Sequence, residues 1–331
     1  MAAIRLRRKE EFMGRSLLAA LLLVPAVALS QAYPSQPIRI IVPFPAGGGG
    51  DTIARPLAQR MSESMGQPVL VDNRPGASAI IGSEMVAKAA PDGYTLLLTF
   101  DPPHNTTPYI TQKVPYDTVK DFTPITMVVK APQTVVVNAS VPVSSMQEFI
   151  RYVKKNPGKV FYGTAGKGTA QHFGGELINQ TANIEMVHVA YKGTPQVITD
   201  LLGGRIQASI SVLSNVAAHV QSGKLKALAV LESSRASAAP QLPTVAESGV
   251  AGFQFPITWI GFLGPAKLPQ PIVARIHSEV VKAANNPAVR SNFEKLGFDL
   301  ILNSPEEMAQ VIARSVDTYR QVATKANIRP D

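Results

Sequence analysis

The chain has 331 residues, 45% of them hydrophobic, with no cysteine and 32 Lys+Arg against 23 Asp+Glu, a net charge of +9. The absence of cysteine excludes disulfides, thiol catalysis and cysteine-based zinc sites. The basic residues are scattered rather than gathered into an arm, which argues against nucleic acid and suits a small anionic ligand.

Residues 1–32 read as an export signal. Arg5, Arg7, Arg8, Lys9 and Arg15 form a basic start, Leu17 to Leu29 is apolar, and Ser30-Gln31-Ala32 is a small-x-small cleavage pattern. Glu10 and Glu11 are unusual there and make Met13 an alternative start. The apolar run is short for a spanning helix, which needs about 20 residues, so cleavage near Ala32 and a periplasmic product are expected. Removing the five basic and two acidic residues of this leader lowers the charge from +9 to +6. The roughly 300 residues that remain are enough for two domains.

The mature chain opens on 38-IRIIVPFPAGGGGDTIARPLAQRM-61. Ile38 to Val42 predicts a buried parallel strand, Pro43 and Pro45 end it, and four glycines lead into an amphipathic helix with Ile53, Leu57 and Met61. Strand, glycine loop and helix start together form an anion-site geometry. Strands follow at 68–73 and 94–100, with a helix between them over 80–89. Residues 101–109 read as a loop at a strand's carboxyl end. The run 124–138 is two extended pieces broken at Ala131-Pro132, a first crossing between domains. A helix capped by Ser144 covers 146–155. The strand 159–165 runs into a second glycine loop, 166-GKGT-169, and a helix over 171–179. Strands at 186–191, 206–213 and 225–231 surround a helix at 195–202. The segment 257–266 is the return crossing. Helices at 271–284, 287–296 and from Ser304 to about Lys325 close the chain.

Neither glycine loop fits a nucleotide fingerprint. Gly48-x-Gly50 has Ile53 at the third glycine position, and 163-GTAGKGT-169 has Gly168 after Lys167. The five histidines are dispersed, and no hydrolase or metal motif is present. Alone, the glycine run is equally a tight turn, Asp51 a helix cap, His172 a helix-face residue and Trp259 a core residue. Asp101 either caps the turn before Pro102 or meets a ligand ammonium group.

The chain resembles the Bug-type periplasmic solute-binding proteins of the tripartite tricarboxylate transporter system over nearly its whole mature length. The stretches that carry this are 33-YPSQPIRIIVPFPAGGGGD-51, 72-DNRPGA-77, 88-KAAPDGYTLLL-98, 116-YDTVKDFTPI-125, 163-GTAGKGTAQHFGGEL-177, 188-HVAYKG-193, 199-TDLLGG-204, 223-GKLKALAV-230 and 242-LPTVAESG-249. The resemblance implies an α/β, two-lobed periplasmic-binding-protein (type II) fold, with two parallel-dominated sheets joined by two hinge crossings. Lobe 1 would comprise 33–131 plus 259–331, and lobe 2 would comprise 132–258. It implies a monomeric receptor, without cofactor, metal or catalytic residue, that hands a small carboxylate to a membrane permease. Phe44, Ala46, Gly47, Gly48 and Asp51 map onto the family's first ligand loop. Thr164, Ala165, Gly166 and Thr169 map onto the second. Asp101, His104, Asn105 and Asn215 are further candidate ligand contacts, expected to face the cleft from strand ends, in stretches that depart from the family pattern, as does Pro56. They leave the ligand open among aliphatic di- or tricarboxylates, aromatic acids and amino acids. A sensing receptor and an exported hydrolase are the alternatives.

Overall fold

The computed structural model describes residues 33–330. Strand β1 (Ile38–Val42) buries every side chain but Arg39, as a strand covered on both faces must. Helix α1 (Gly49–Met65) follows the glycine loop, runs on through Pro56, and is stopped by Gly66 in the left-handed conformation. Strand β2 (Val69–Asn73), helix α2 (Ile80–Ala87) and strand β3 (Thr95–Phe100) come next. β1 lies between β2 and β3 and is parallel to both, with Ile38 opposite Val69 and Arg39 opposite Thr95.

Residues 101–109, expected as loop, are instead helical. Helix α3 (Asp101–Ile110) starts directly at the end of β3. Its prolines at 102 and 103 fall in the first turn, where no backbone N–H has an intrahelical acceptor, so they cost the helix nothing there.

Strand β4 (Phe122–Lys130) leads through Ala131-Pro132 to β5 (Gln133–Asn138). Helix α4 (Met146–Lys155) is capped by Ser145, whose hydroxyl accepts from the Glu148 N–H, and not by Ser144. Then come β6 (Val160–Thr164), α5 (Ala170–Ala182), β7 (Met186–Ala190), α6 (Thr194–Leu202), β8 (Ala208–Val212), α7 (Leu213–Gln221) and β9 (Leu225–Val230). After a long irregular segment, β10 (Trp259–Pro265), α8 (Gln270–Ala284), α9 (Pro287–Lys295), β11 (Asp299–Leu300) and α10 (Pro305–Lys325) complete the chain.

Two sheets result, in the orders β11-β4-β10-β3-β1-β2 and β7-β6-β8-β5-β9. Both are mixed rather than parallel-dominated. The strands that carry the chain between sheets run against their neighbours: β10 is antiparallel to β3 and β4, and β5 is antiparallel to β8 and β9. The two crossings lie side by side, with the Ala131 N–H donating to the Thr258 carbonyl at 2.8 Å. Beside them Lys130 pairs with Asp299 at 3.3 Å, and the Gln133 N–H donates to the buried Glu232 carboxylate at 3.0 Å.

The end of the chain does not belong wholly with the first sheet, as the expected division had it. Met308 and Ile312 of α10 pack into the first sheet's core with Trp259. Tyr319, Val322 and Ala323, farther along the same helix, pack with Phe149, Phe173 and Ile178 of the second. One helix therefore ties the two halves.

Gly261 marks the tightest crossing in the first sheet. A Cβ there would meet the Thr126 carbonyl oxygen at 2.6 Å and the Met127 Cα at 3.0 Å, both backbone atoms. Gly261→Ala is expected to destabilise the chain by about 2 kcal/mol in urea unfolding, as overpacked sites do. An unchanged midpoint would contradict this close approach.

Candidate ligand site

The first glycine loop is held by side chains around it. The Gly47 N–H donates to Asp51 Oδ2 at 2.9 Å, and Arg55 Nε donates to the same oxygen at 2.8 Å. Arg55 also reaches Asn73 Oδ1 at 3.2 Å, and Asn73 Nδ2 donates to the Phe44 carbonyl at 3.1 Å. The loop is thus closed from Phe44 round to Asp51. Arg55 beside Asp51 holds that carboxyl below the usual carboxylate range despite its burial. Asp51 is not the N-cap of α1; it sits inside the first turn and reaches back.

This arrangement decides which amides are open. Gly47 donates to Asp51, and Gly48 donates to the Pro45 carbonyl at 3.2 Å. The N-cap is Gly48, which has no side chain to cap with, and the helical ladder begins with Thr52 N–H to the Gly48 carbonyl at 3.0 Å. Among the described residues nothing accepts from the amides of Gly49, Gly50 and Asp51. These three amides follow Gly48 directly and are the donors that the helix start leaves over. Phe44 and Phe100, edge to face with centroids 4.4 Å apart, wall this place. Ala46 is exposed beside it.

Asp101, His104 and Asn105 turn inward from α3 and are buried at 0%, 1% and 0% exposure. Asp101 accepts from the Tyr319 hydroxyl and from Asn105 Nδ2, the latter at 2.7 Å. His104 Nε2 lies 2.9 Å from the Thr118 carbonyl, and its ring packs edge-on to Phe122 and Trp259. The expectation that these side chains face a ligand fails because α3 is a helix with its polar face buried under α10. Burial pushes the Asp101 carboxyl up to about 7, and it pushes His104 down to about 4.

The second loop is built from hydroxyls and glycine. The Thr164 hydroxyl lies 2.7 Å from His188 Nε2 and meets the Gly166 carbonyl at 3.2 Å. Thr169 caps α5 by accepting from the His172 N–H, and its hydroxyl donates to the Gly166 carbonyl at 2.8 Å. Ala165 and Gly166 are half-buried. Asn215 is exposed on α7, and its neighbour Ser214 abuts Gly297. The second loop does meet α3: the Thr106 hydroxyl donates to the Gly168 carbonyl at 2.8 Å, and Ile110 fills the space beside Gly168. A cavity of about 430 Å³ adjoins it, lined by Lys167, His172, His188, Ala190 and residues 326–330.

Arg55, Asn73, Phe100 and Thr106 were missed in the sequence. Only Arg55 left a local trace, four residues after Asp51 on one helix face.

The family pattern described as tripartite tricarboxylate transporter family receptor matches residues 53–328. The chain belongs to that family. BugT of Bordetella pertussis is 32% identical over 307 residues, covering 92% of this chain and 94% of BugT. Among solved structures, R. palustris Rpa4515 with adipate superposes with a TM-score of 0.76 at 30% identity, covering 90% of this chain and all of that one. MatC from Rhodopseudomonas palustris with bound malate gives 0.72 at 28% identity, covering 88% and 99%. As a member of this receptor family, the chain is a solute-binding protein and not an enzyme.

The Asp101 carboxyl has a pH signature. Its folded value, about 7, stands above the ordinary 3.8. The stability it lends is full below about pH 4, falls as pH rises to about 7, and is flat beyond. Asp101→Asn does not titrate, so the melting temperature of the variant relative to the wild type should rise by at least about 3 °C from pH 4 to pH 8. A difference constant with pH would mean the carboxyl is ionised throughout.

Proposed function

We propose that the protein is an exported receptor that binds a small, amine-free carboxylate between its two glycine loops and delivers it to a tripartite membrane permease. The observation that carries the carboxylate reading is the uncapped first turn of α1. Three amides point out of a helix start, and a rigid loop keeps them in place. An anionic oxygen there gains hydrogen bonds and the helix dipole together.

The amine-free part follows from Asp101. It was the acid best placed by sequence to receive an ammonium group, and its oxygens are occupied by Tyr319 and Asn105. The similar structures solved with malate and adipate support a carboxylate without an amine. Membership in the transporter receptor family supports a permease partner, and it supports a periplasmic site of action for a chain whose expected leader lies outside the described residues. The halves on either side of the 131–132 and 256–258 crossings are the bodies that would close on the ligand. The far part of α10 travels with the second sheet.

The experiment is a thermal-shift and calorimetric panel of malate, adipate, citrate, benzoate and aspartate on the wild type and on Gly49→Pro. Proline is favoured at a first helical position and deletes one amide; Gly48 before it is already extended, at φ −79° and ψ 177°. The expected result is that a carboxylate without an amine binds, and that Gly49→Pro keeps its melting temperature while losing at least ~10-fold in affinity. Unchanged affinity in Gly49→Pro, or a preference for aspartate, would overturn the reading.

A further inference from the structure

We infer that His172 is the positioning residue of the second glycine loop: an uncharged imidazole whose Nδ1 lone pair holds the Gly168 amide. The Gly168 N–H points at His172 Nδ1 over 3.2 Å. An imidazole nitrogen accepts only when it carries no proton, so His172 must be neutral with its hydrogen on Nε2. The same glycine gives its carbonyl to the Thr106 hydroxyl of α3 at 2.8 Å. Its peptide groups are therefore fixed from both halves of the molecule at once. Its φ of +77° and the packing of Ile110 against it leave no room for a side chain.

His188 completes the device from the neighbouring strand. Its ring stacks on His172 with centroids 3.9 Å apart and planes 13° apart. Its Nε2 lies 2.7 Å from the Thr164 hydroxyl, which in turn contacts Gly166. One ring thus holds the start of the loop and the other holds its end.

Among the described residues, the charged groups facing the pair disfavour a charge on it, with one exception. Lys167 of the loop and Arg329 across the 430 Å³ cavity are cationic. Tyr162 of β6 lies 5.1 Å from the His188 ring and donates its hydroxyl to Glu176 at 2.6 Å. Glu176, on the same helix as His172, is the exception, and burial raises its carboxyl toward the neutral form. Burial and the stacked ring push His172 down to about 3, and burial pushes His188 down to about 4. The loop should keep its shape from alkaline pH to about pH 5 and lose it in acid as these rings take up protons. That this loop then releases a carboxylate rests on the proposed function; that His172 shapes it does not.

The test uses the ligand-free protein. Long-range proton–nitrogen correlation of the imidazoles reads the tautomer, and hydrogen exchange reads the Gly168 amide in the wild type, His172→Asn and His172→Phe. The expected spectrum shows His172 with Nδ1 unprotonated and Nε2–H from pH 8 to pH 5. The Gly168 amide should exchange about tenfold faster in His172→Phe. His172→Asn should restore most of the protection, because the Asn oxygen takes the place of Nδ1. A Nδ1-protonated tautomer, titration near 6.5, or equal protection in all three proteins would overturn the inference. Should His172→Phe fail to fold, the wild-type tautomer and titration decide alone. A failed carboxylate panel would leave all these readings untouched.

Discussion

A helix that begins without a cap leaves donors that must find an acceptor, and the first half of this molecule is arranged around that need. Gly48 offers no capping side chain, and Asp51 spends its carboxylate on Gly47 and Arg55. The amides of Gly49, Gly50 and Asp51 stay available as a result. A native protein seldom leaves such groups unmet unless water or a ligand meets them. The Phe44–Asn73–Arg55–Asp51 chain of contacts keeps the loop from collapsing onto its own donors. In the proposed function the binding chemistry is main-chain chemistry, and the side chains of the loop act as its frame.

The second half solves a matching problem with different parts. Its loop is shaped by the hydroxyls of Thr164 and Thr169 and by two stacked imidazoles. It is joined to the first half through α3, whose Thr106 and Ile110 both reach Gly168. α10 ties the halves again, with Tyr319 bonded to Asp101 inside the protein. The paired crossings near Ala131 and Thr258 are where the proposed closure would turn. There Lys130 pairs with the partly buried Asp299 and the Gln133 amide bonds to the buried Glu232, contacts that a change of angle at the crossings would disturb.

Much of this was legible in the chain itself. Strand β1, its glycine loop and α1 follow from an apolar run, four glycines and a helical stripe. Both crossings were marked by extended runs broken or flanked by proline. What was hidden depended on distant partners. The stretch 101-DPPHNTTPYI-110 reads as a loop because of its prolines, yet two of them fall in a first turn that tolerates them. Asp101 looked outward because nothing near it in sequence announces Tyr319, 218 residues away. The sheets proved mixed because strand direction is set where the chain returns, which no local pattern encodes. Which glycine amide is spent was hidden for a similar reason: glycines mark a loop, but it is Asp51 reaching backward that takes the Gly47 amide.

The most direct measurement is a proton–nitrogen NMR titration of uniformly labelled protein beginning at residue 33 with malate or adipate. The account predicts that the amide resonances of Gly49, Gly50 and Asp51 move most, saturating together with those of the Gly166 to Thr169 loop. Shifts confined to Ala190, Asn327 and the other residues around the neighbouring cavity, with the α1 amides unmoved, would contradict it.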